Sequence, residues 1–332
     1  MIQRALLKKF PILATPIQPF VIMKPIYLLW ALFLGTSSAH AQSEYASADA
    51  AARRIGKEKF DTPAALAKEL CKDLPEELQK ARAIFTWVAE NVRYDLSMVG
   101  QEGPDARTTA EYESKRIKAA YRRCRGVCMD FALLYREMAL AVGLECVYIS
   151  GNCKSSVLGG WSSHAWNAVK IGGKWQLVDA TWGSGHSEDN KYYRHFQPGY
   201  FCTEPRLFLL DHFPEEEKWQ LLETPIGKSA FKKQIAIDYG DPANGILDAE
   251  PFGPLHKNAD GKITLRLKVD QPAQVYRLVM NGRDLPFEYT TDKGWLQFVF
   301  KPNAGRQLQV WAGKKNKDGT NTTLFGIFPV GE

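Results

Sequence analysis

Three residues in the middle of the sequence, Cys128, His164 and Asp179, have the types and spacing that thiol chemistry requires. A thiol becomes a nucleophile when its thiolate is stabilised. The start of a helix and a neighbouring imidazole can bring a cysteine pKa from ~8.5 down to ~3.5–7.5. Cys128 follows Gly126-Val127 and opens residues 128–142, where Cys128, Phe131, Tyr135, Met138 and Val142 recur at steps of three and four before Gly143. That spacing predicts a helix with Cys128 in its first turn, close enough to glycine for a substrate to approach. Taken alone, a cysteine on an apolar stripe reads as an inert core residue. Cys124, one helical turn earlier among arginines, is a rival nucleophile or a disulfide partner.

The histidine and the aspartate change that balance. Gly172-Gly173 lies between two alternating runs, residues 165–171 and 175–181, which is the signal of a two-residue hairpin. The turn pairs Ile171 with Lys174, and in that register Trp166 faces Asp179 and His164 faces Thr181, all on one side of the sheet. His164 and Asp179 are then diagonal neighbours with Cα atoms roughly 7–8 Å apart, a gap that an imidazole and a carboxylate can bridge. A carboxylate on one ring nitrogen fixes the tautomer and leaves the other nitrogen for the thiol. Asn167 could orient an imidazole too, but strand alternation sends it to the opposite face. Trp161 and Trp166 bracket the histidine and are candidates for walls of an acyl channel, with core packing as the alternative for each.

The elements that must carry these residues are legible on either side. Asp61-Thr62-Pro63 is a helix start, followed by Leu66, Leu70 and Cys71 at helical spacing. A second helix is expected from about Pro75-Glu76-Glu77 to Val92, with Ala81, Ile84, Phe85, Val88 and Val92 as its apolar stripe. The basic run Lys115, Arg116, Lys118, Arg122, Arg123, Arg125 reads as a solvated face, with a patch for acidic groups as the alternative. Strands are expected over residues 146–150, 165–171 and 175–181. Residues 228–254, rich in Gly, Pro and Asp, read as a connection. Beyond them Ile263, Leu265, Leu267 and Val269 alternate, as do Leu296, Phe298 and Phe300, with turn signals at Asn281-Gly282 and Asp292-Lys293-Gly294. Five or six short strands in a small all-β sandwich are expected there.

With 332 residues and 45% hydrophobic content, the chain is long enough for two folded parts. Residues 1–41 are set apart as a signal peptide: Met23-Lys24-Pro25, an apolar run from Ile26 to Leu34, then small residues ending in Ala39-His40-Ala41, with processing before Gln42. Met1 and Met23 both suit as initiators. The apolar run is too short to span a bilayer as a helix, so no membrane span is expected after processing and the product should be secreted or periplasmic. Arg4, Lys8, Lys9 and Lys24 leave with that segment, which takes the formal charge from +6 to +2 and removes the main support for a nucleic-acid partner. Export permits disulfides among Cys71, Cys124, Cys128, Cys146, Cys153 and Cys202, but a reduced Cys128 limits them to two bridges and leaves another thiol free. No CxxC pair is present, so neither a metal nor any other cofactor is expected.

Three blocks carry a family resemblance. Gly126-Val127-Cys128-Met129-Asp130-Phe131-Ala132, Ser163-His164-Ala165-Trp166-Asn167 and Leu177-Val178-Asp179-Ala180-Thr181-Trp182-Gly183 resemble the transglutaminase-like superfamily, particularly its kyphoscoliosis peptidase-like branch. Ile84 to Val88 with Tyr94-Asp95 is similar to the family's preceding helix, and Tyr200-Phe201 and His212-Phe213-Pro214 through Leu222 to its tail, so the resemblance covers roughly residues 60–225. It implies an α+β, papain-like core of helices on an antiparallel sheet, expected over residues 42–230; the linker and small β-sandwich expected over residues 231–332 rest on strand alternation and carry no diagnostic motif. It also implies Cys128 as nucleophile, His164 as general base and acid, and Asp179 as its orienting partner. Met129-Asp130 stands where relatives often carry Glu-Gly, which is expected to alter substrate contacts. The expected activity is that of an exported cysteine peptidase or protein-glutamine acyltransferase on protein or peptide substrates, through a thioester. The alternatives are a non-catalytic protein-binding module at the cell surface and a hydrolase of cell-wall peptide amides.

Overall fold

The computed structural model describes residues 37–100, 109–154, 160–237, 239, 246–316 and 319–331. Of the expected signal segment, residues 1–36 lie outside that description, and residues 37–41 begin helix α1 (Ser37–Ile55), which runs across the expected processing position. Its buried residues Ala48, Ala51, Ala52 and Ile55 fall on one face, at the spacing that docks an amphipathic helix.

Helix α2 (Pro63–Cys71) starts as its sequence dictates: Thr62 Oγ1 accepts the N–H of Ala65 at 3.0 Å, and proline takes the first helical position. Helix α3 (Glu77–Asn91) is buried from Ala81 through Ala89 because α1, α2 and later helices surround it. Two polar groups in that stretch, Arg82 and Thr86, pair with Asp49 of α1: the guanidinium donates to both carboxylate oxygens at 2.8 and 3.0 Å, and Thr86 Oγ1 donates at 2.6 Å. A short parallel pair, β1 (Arg93–Tyr94) with β2 (Arg125–Gly126), brackets helix α4 (Ala110–Arg123). Cys124 ends α4 with φ at 49°, and the chain turns directly into α5 (Cys128–Ala141).

The basic run lies on and just beyond α4, and one member departs from the solvated-face expectation. Arg116 points inward and donates to Asp130 Oδ1 and Oδ2 at 2.6 and 2.7 Å. Asp130 is buried, and its Oδ2 also accepts the N–H of Val127 at 2.8 Å, closing the first turn of α5. The expectation that Asp130 alters substrate contacts is therefore corrected: it fastens the start of α5. Gly126 is required for that arrangement, since a Cβ there would lie 2.5 Å from the Asp130 Cβ.

Helix α5 lies against a five-stranded antiparallel sheet of order β8-β5-β4-β3-β9, built from β3 (Cys146–Lys154), β4 (Trp161–Ile171), β5 (Lys174–Val178), β8 (Phe201–Thr203) and β9 (His212–Pro214). Between β5 and β8 come the four-residue α6 (Ala180–Gly183) and a hairpin, β6 (Gly185–Glu188) with β7 (Lys191–Arg194). Helix α7 (Pro205–Phe208) precedes β9. The fold class is α+β, as expected.

The connecting stretch is more ordered than its composition suggests. It contains α8 (Lys228–Lys232) and β10 (Ala236–Ile237), and Phe231, Ile235, Ile237 and Tyr239 are all buried. Strand β10 pairs with β18 (Gly319–Pro329) at the edge of a five-stranded antiparallel sheet that continues through β17 (Gln307–Asn316), β13 (Val275–Met280) and β14 (Arg283–Leu285). A four-stranded sheet accompanies it: β11 (Ile246–Glu250), β12 (Ile263–Val269), β16 (Trp295–Phe300) and β15 (Phe287–Asp292). This exceeds the five or six strands expected. The alternating residues Ile263, Leu265, Leu267, Leu296, Phe298, Leu308 and Val310 point into the core. Asn281-Gly282 and Lys293-Gly294 supply the positive φ angles of the hairpin turns.

Candidate active site

Cys128 is the first residue of α5, so its amide belongs to the N-terminal turn, whose N–H groups have no partner within the helix. The hairpin fixes the histidine. Gly172 and Gly173 have φ of 57° and 78°, the pair of positive angles a two-residue turn of this hand needs, and the register runs from Ile171↔Lys174 to Asn167↔Val178. That is the pairing read from the sequence. His164 lies on β4 beyond the last residue paired with β5, opposite Gly151 of β3, and is buried.

Asp179 departs from its expected setting. Strand β5 stops at Val178, and Asp179 is the cap of α6. Its N–H donates to Tyr200 O at 2.9 Å. Its Oδ1 accepts the N–H groups of Thr181 and Trp182 at 2.7 and 3.1 Å. The cap fixes the carboxylate plane and leaves Oδ2 for His164 Nε2, at 2.7 Å. The structure therefore joins His164 to Asp179 directly through Nε2, and Cys128 is among the groups that raise the basicity of the imidazole.

Sequence reading missed a second imidazole. His212 Nε2 lies 3.0 Å from the same Asp179 Oδ2, and its Nδ1 lies 2.5 Å from Asp211 Oδ1. Asp211 Oδ1 also accepts the Tyr239 hydroxyl at 2.6 Å. His212 had been singled out only within the family's tail block. An adjacent Asp-His pair in an otherwise apolar stretch was the available signal. Gly151 lets β9 and Trp166 close over this region, since a Cβ there would lie 2.4 Å from both Phe213 O and Trp166 Cη2.

The electrostatics follow from burial and partners. Burial would lower the basicity of His164, but Asp179 beside it outweighs that and holds the imidazole well above its usual range. Burial would raise Asp179, but His164 and His212 together hold its carboxyl well below the usual range. Burial likewise opposes protonation of His212, and Asp211 and Asp179 reverse it, so its basicity is raised. Burial pushes the thiols of Cys71, Cys146 and Cys202 up to about 12. All six cysteines are free, so the bridges that export would permit are not formed.

Other expected site residues fare differently. Trp166 is a core residue and not a channel wall: it is 1% exposed and packs on Phe208 and His212. Trp161 is partly exposed and packs at a tilt of 59° against Phe231, with the Lys228 and Lys232 ammonium groups 5.4 and 5.3 Å from its ring. Asn167, out of phase with His164 as expected, ties the sheet to α5 by donating to Ala132 O and Val147 O, both at 3.0 Å.

His164, Asp179 and His212 also converge as a metal would require, their ligand atoms within 4.8 Å of one another. The spacing does not suit one. Tetrahedral ligands at about 2.0–2.2 Å from zinc stand roughly 3.3 Å apart, wider than the 2.7 Å between His164 Nε2 and Asp179 Oδ2. That separation is the length of a charge-assisted hydrogen bond.

Residues 64–180, which hold all three candidates, match the family model of the transglutaminase-like superfamily. The resemblance read from the three sequence blocks thus holds over residues 64–180. Over 257 residues the chain is 28% identical to the kyphoscoliosis peptidase of Mus musculus, covering 74% of this chain and 38% of the relative. The Homo sapiens kyphoscoliosis peptidase is likewise 28% identical over 269 residues, covering 78% of this chain and 39% of the relative. The chain spans about two fifths of the length of these curated relatives. Among solved structures, a TGase is similar at 18% identity and a TM-score of 0.28, with 46% of this chain and 36% of that one covered.

Proposed function

We propose that this protein is a cysteine-dependent amide hydrolase or acyltransferase acting on protein or peptide substrates, with Cys128 as nucleophile, His164 as general base and acid, and Asp179 as the residue that orients the imidazole. The observation that supports this reading is the 2.7 Å contact between His164 Nε2 and Asp179 Oδ2, together with the place of Cys128 as the first residue of α5.

The Cys128 thiol gives its proton to His164, and the thiolate attacks the amide carbon, opening the C=O bond to an oxyanion. The N–H of Cys128 is placed to donate to that oxyanion. His164 then protonates the departing amine as the C–N bond breaks, which leaves a thioester. Water or an acceptor amine loses a proton to His164, attacks the thioester and releases the thiol. The two outcomes differ only in which nucleophile reaches the thioester.

The full chain should release ammonia from glutamine peptides, or cleave a peptide bond or join an amine to the product, and Cys128→Ser should abolish each of these. A Cys128→Ser protein that keeps its turnover would overturn the assignment. Export of the protein rests on the apolar segment before Gln42. N-terminal sequencing of secreted material should begin at that residue, and an intact Met23 segment in cytoplasmic protein would refute it.

A further inference from the structure

His212 is not accounted for by the three-residue mechanism, and its surroundings are unusually specific. Both ring nitrogens face carboxylates, Asp211 Oδ1 at 2.5 Å and Asp179 Oδ2 at 3.0 Å. An ionised carboxylate only accepts, so both nitrogens must carry protons for both contacts to be hydrogen bonds. The ring is fully buried and lies among aromatic faces: Phe208 stacks on it with centroids 4.0 Å apart, and Trp182 and Trp166 stand at 4.5 and 5.1 Å. Such a cage favours a cation over a neutral ring. We infer that His212 is a constantly protonated second imidazole, a positioning residue that sets the charge felt by the Asp179–His164–Cys128 row and anchors it, through Asp211 and Tyr239, to the segment entering the C-terminal sheets. The inference rests on the proposed role of Cys128.

The balance of charge makes this consequential. Asp179 and Asp211 bring two negative charges into a dry region. His164, whose basicity Asp179 raises, offsets one of them when it is protonated, but it must give that proton up during the proposed reaction. A charged His212 cancels one carboxylate permanently and leaves the other to polarise His164. The groups facing His212 are Asp179 at the α6 cap, Asp211 before β9, Tyr239 through Asp211, and His164 of β4 with centroids 5.3 Å away. Tyr200 stands with its ring centroid 6.2 Å away, and Cys153 of β3 is the register partner of His212. The Lys154 backbone N–H donates to Asp211 O at 2.9 Å, and the Lys154 ammonium, which burial pushes down to about 8, attracts the Asp211 carboxylate.

The sign of the effect can be read without a substrate. The rate of Cys128 alkylation by iodoacetamide is followed against pH in the full chain by mass-spectrometric mapping. His212→Gln removes a positive charge, so the Cys128–His164 pair holds its protons more tightly and the whole profile should move up by about one unit, roughly tenfold slower labelling at pH 6. Asp211→Asn removes a negative charge and should move it down. The double variant should return it close to wild type. Opposite signs are something a purely structural role does not produce. Single variants whose profiles keep their wild-type position, or move in the same direction, would overturn the inference. If neither folds, Tyr239→Phe decides: it removes only one hydroxyl, and a small upward shift supports the inference while none refutes it. A wild-type chain in which Cys128 labels no faster than the other thiols overturns instead the reading of Cys128 as nucleophile.

Discussion

Asp179→Asn is the most demanding test of the site, because the carboxylate accepts four hydrogen bonds in a place with no water to replace them. The carbonyl of an asparagine can keep the cap contacts now made by Oδ1 at 2.7 and 3.1 Å. Its amide then points at two imidazole nitrogens, 2.7 and 3.0 Å away, that both donate in the wild-type protein. To avoid a clash of donors, His164 must move its proton to Nδ1, toward Cys128, where it can no longer receive one. Each lost bond to a charged acceptor is worth about 1.5–3 kcal/mol, and a buried pair broken from one side costs about 3–5 kcal/mol. Against a total stability of roughly 5–15 kcal/mol, the variant should still fold, with Tm lowered by roughly 5–10 °C. Amide turnover should fall about 10³–10⁴-fold, because the tautomer is wrong. The pH dependence should change as well. The depressed Asp179 stabilises the fold above the ordinary carboxylate pKa of about 3.9 and loses that contribution as pH falls through its folded value. The raised His164 and His212 contribute fully below about 6.5 and lose it as pH rises through their folded values. Calorimetry of the variant from pH 4 to 9 should therefore give a flatter curve than wild type. Wild-type turnover, or a Tm within about 1 °C of wild type, would refute the role of Oδ2.

Three further outcomes are expected. With iodoacetamide at pH 8, Cys71, Cys146 and Cys202, pushed up to about 12, should stay unlabelled until the protein is unfolded, while Cys128 reacts first; labelling of any of the three at the rate of Cys128 contradicts their burial. Asp130→Ala strands the Arg116 guanidinium and unties the Val127 N–H, so chemical denaturation should show a loss of about 3–5 kcal/mol; a loss under about 1 kcal/mol would mean the pair is dispensable. Asn167→Ala removes two donated bonds and should cost about 1–3 kcal/mol while leaving the pH profile of Cys128 alkylation in place; a displaced profile would make Asn167 part of the triad's support.

What could be read from the sequence is what neighbouring residues decide among themselves. The hairpin register depends on two adjacent glycines and is correct to the residue, as is the start of α2 at Thr62 and Pro63. The place of Cys128 at the start of α5 follows from a stripe within a single helix. Most of what the sequence left open depends on partners distant along the chain. Asp130 resembled a substrate-side variation because its partner Arg116 was hidden in a run of basic residues fourteen positions earlier. Trp166 shares the alternation of His164, and only Phe208 and His212, brought in by β9, turn it into core. Asp179 before Ala180-Thr181 reads equally as strand end or helix cap, and the choice is made by Tyr200 O accepting its N–H. Strand β15 was invisible as a half-buried strand because all its residues after Phe287 are exposed.

The connection between the two folded parts carries the last consequence of this geometry. A boundary drawn at residue 230 would assign Phe231 and Tyr239 to the C-terminal side, yet both serve the catalytic sheet. Phe231 packs on Trp161 and Phe213 with centroids 5.1 Å away in each case, and Tyr239 donates to the Asp211 that holds His212. Two residues before Tyr239, Ile237 pairs with Gly326 of β18. One short segment is thus hydrogen-bonded at one end to the C-terminal sheet and at the other to the chain of side chains that ends at Cys128. Force or misfolding in the β sheets would reach Asp179 through at most three hydrogen bonds. Tyr239 thus belongs to the hydrogen-bonded chain that runs through Asp211 and His212 to Asp179, while Ile237, two residues earlier, belongs to the edge of the C-terminal sheet.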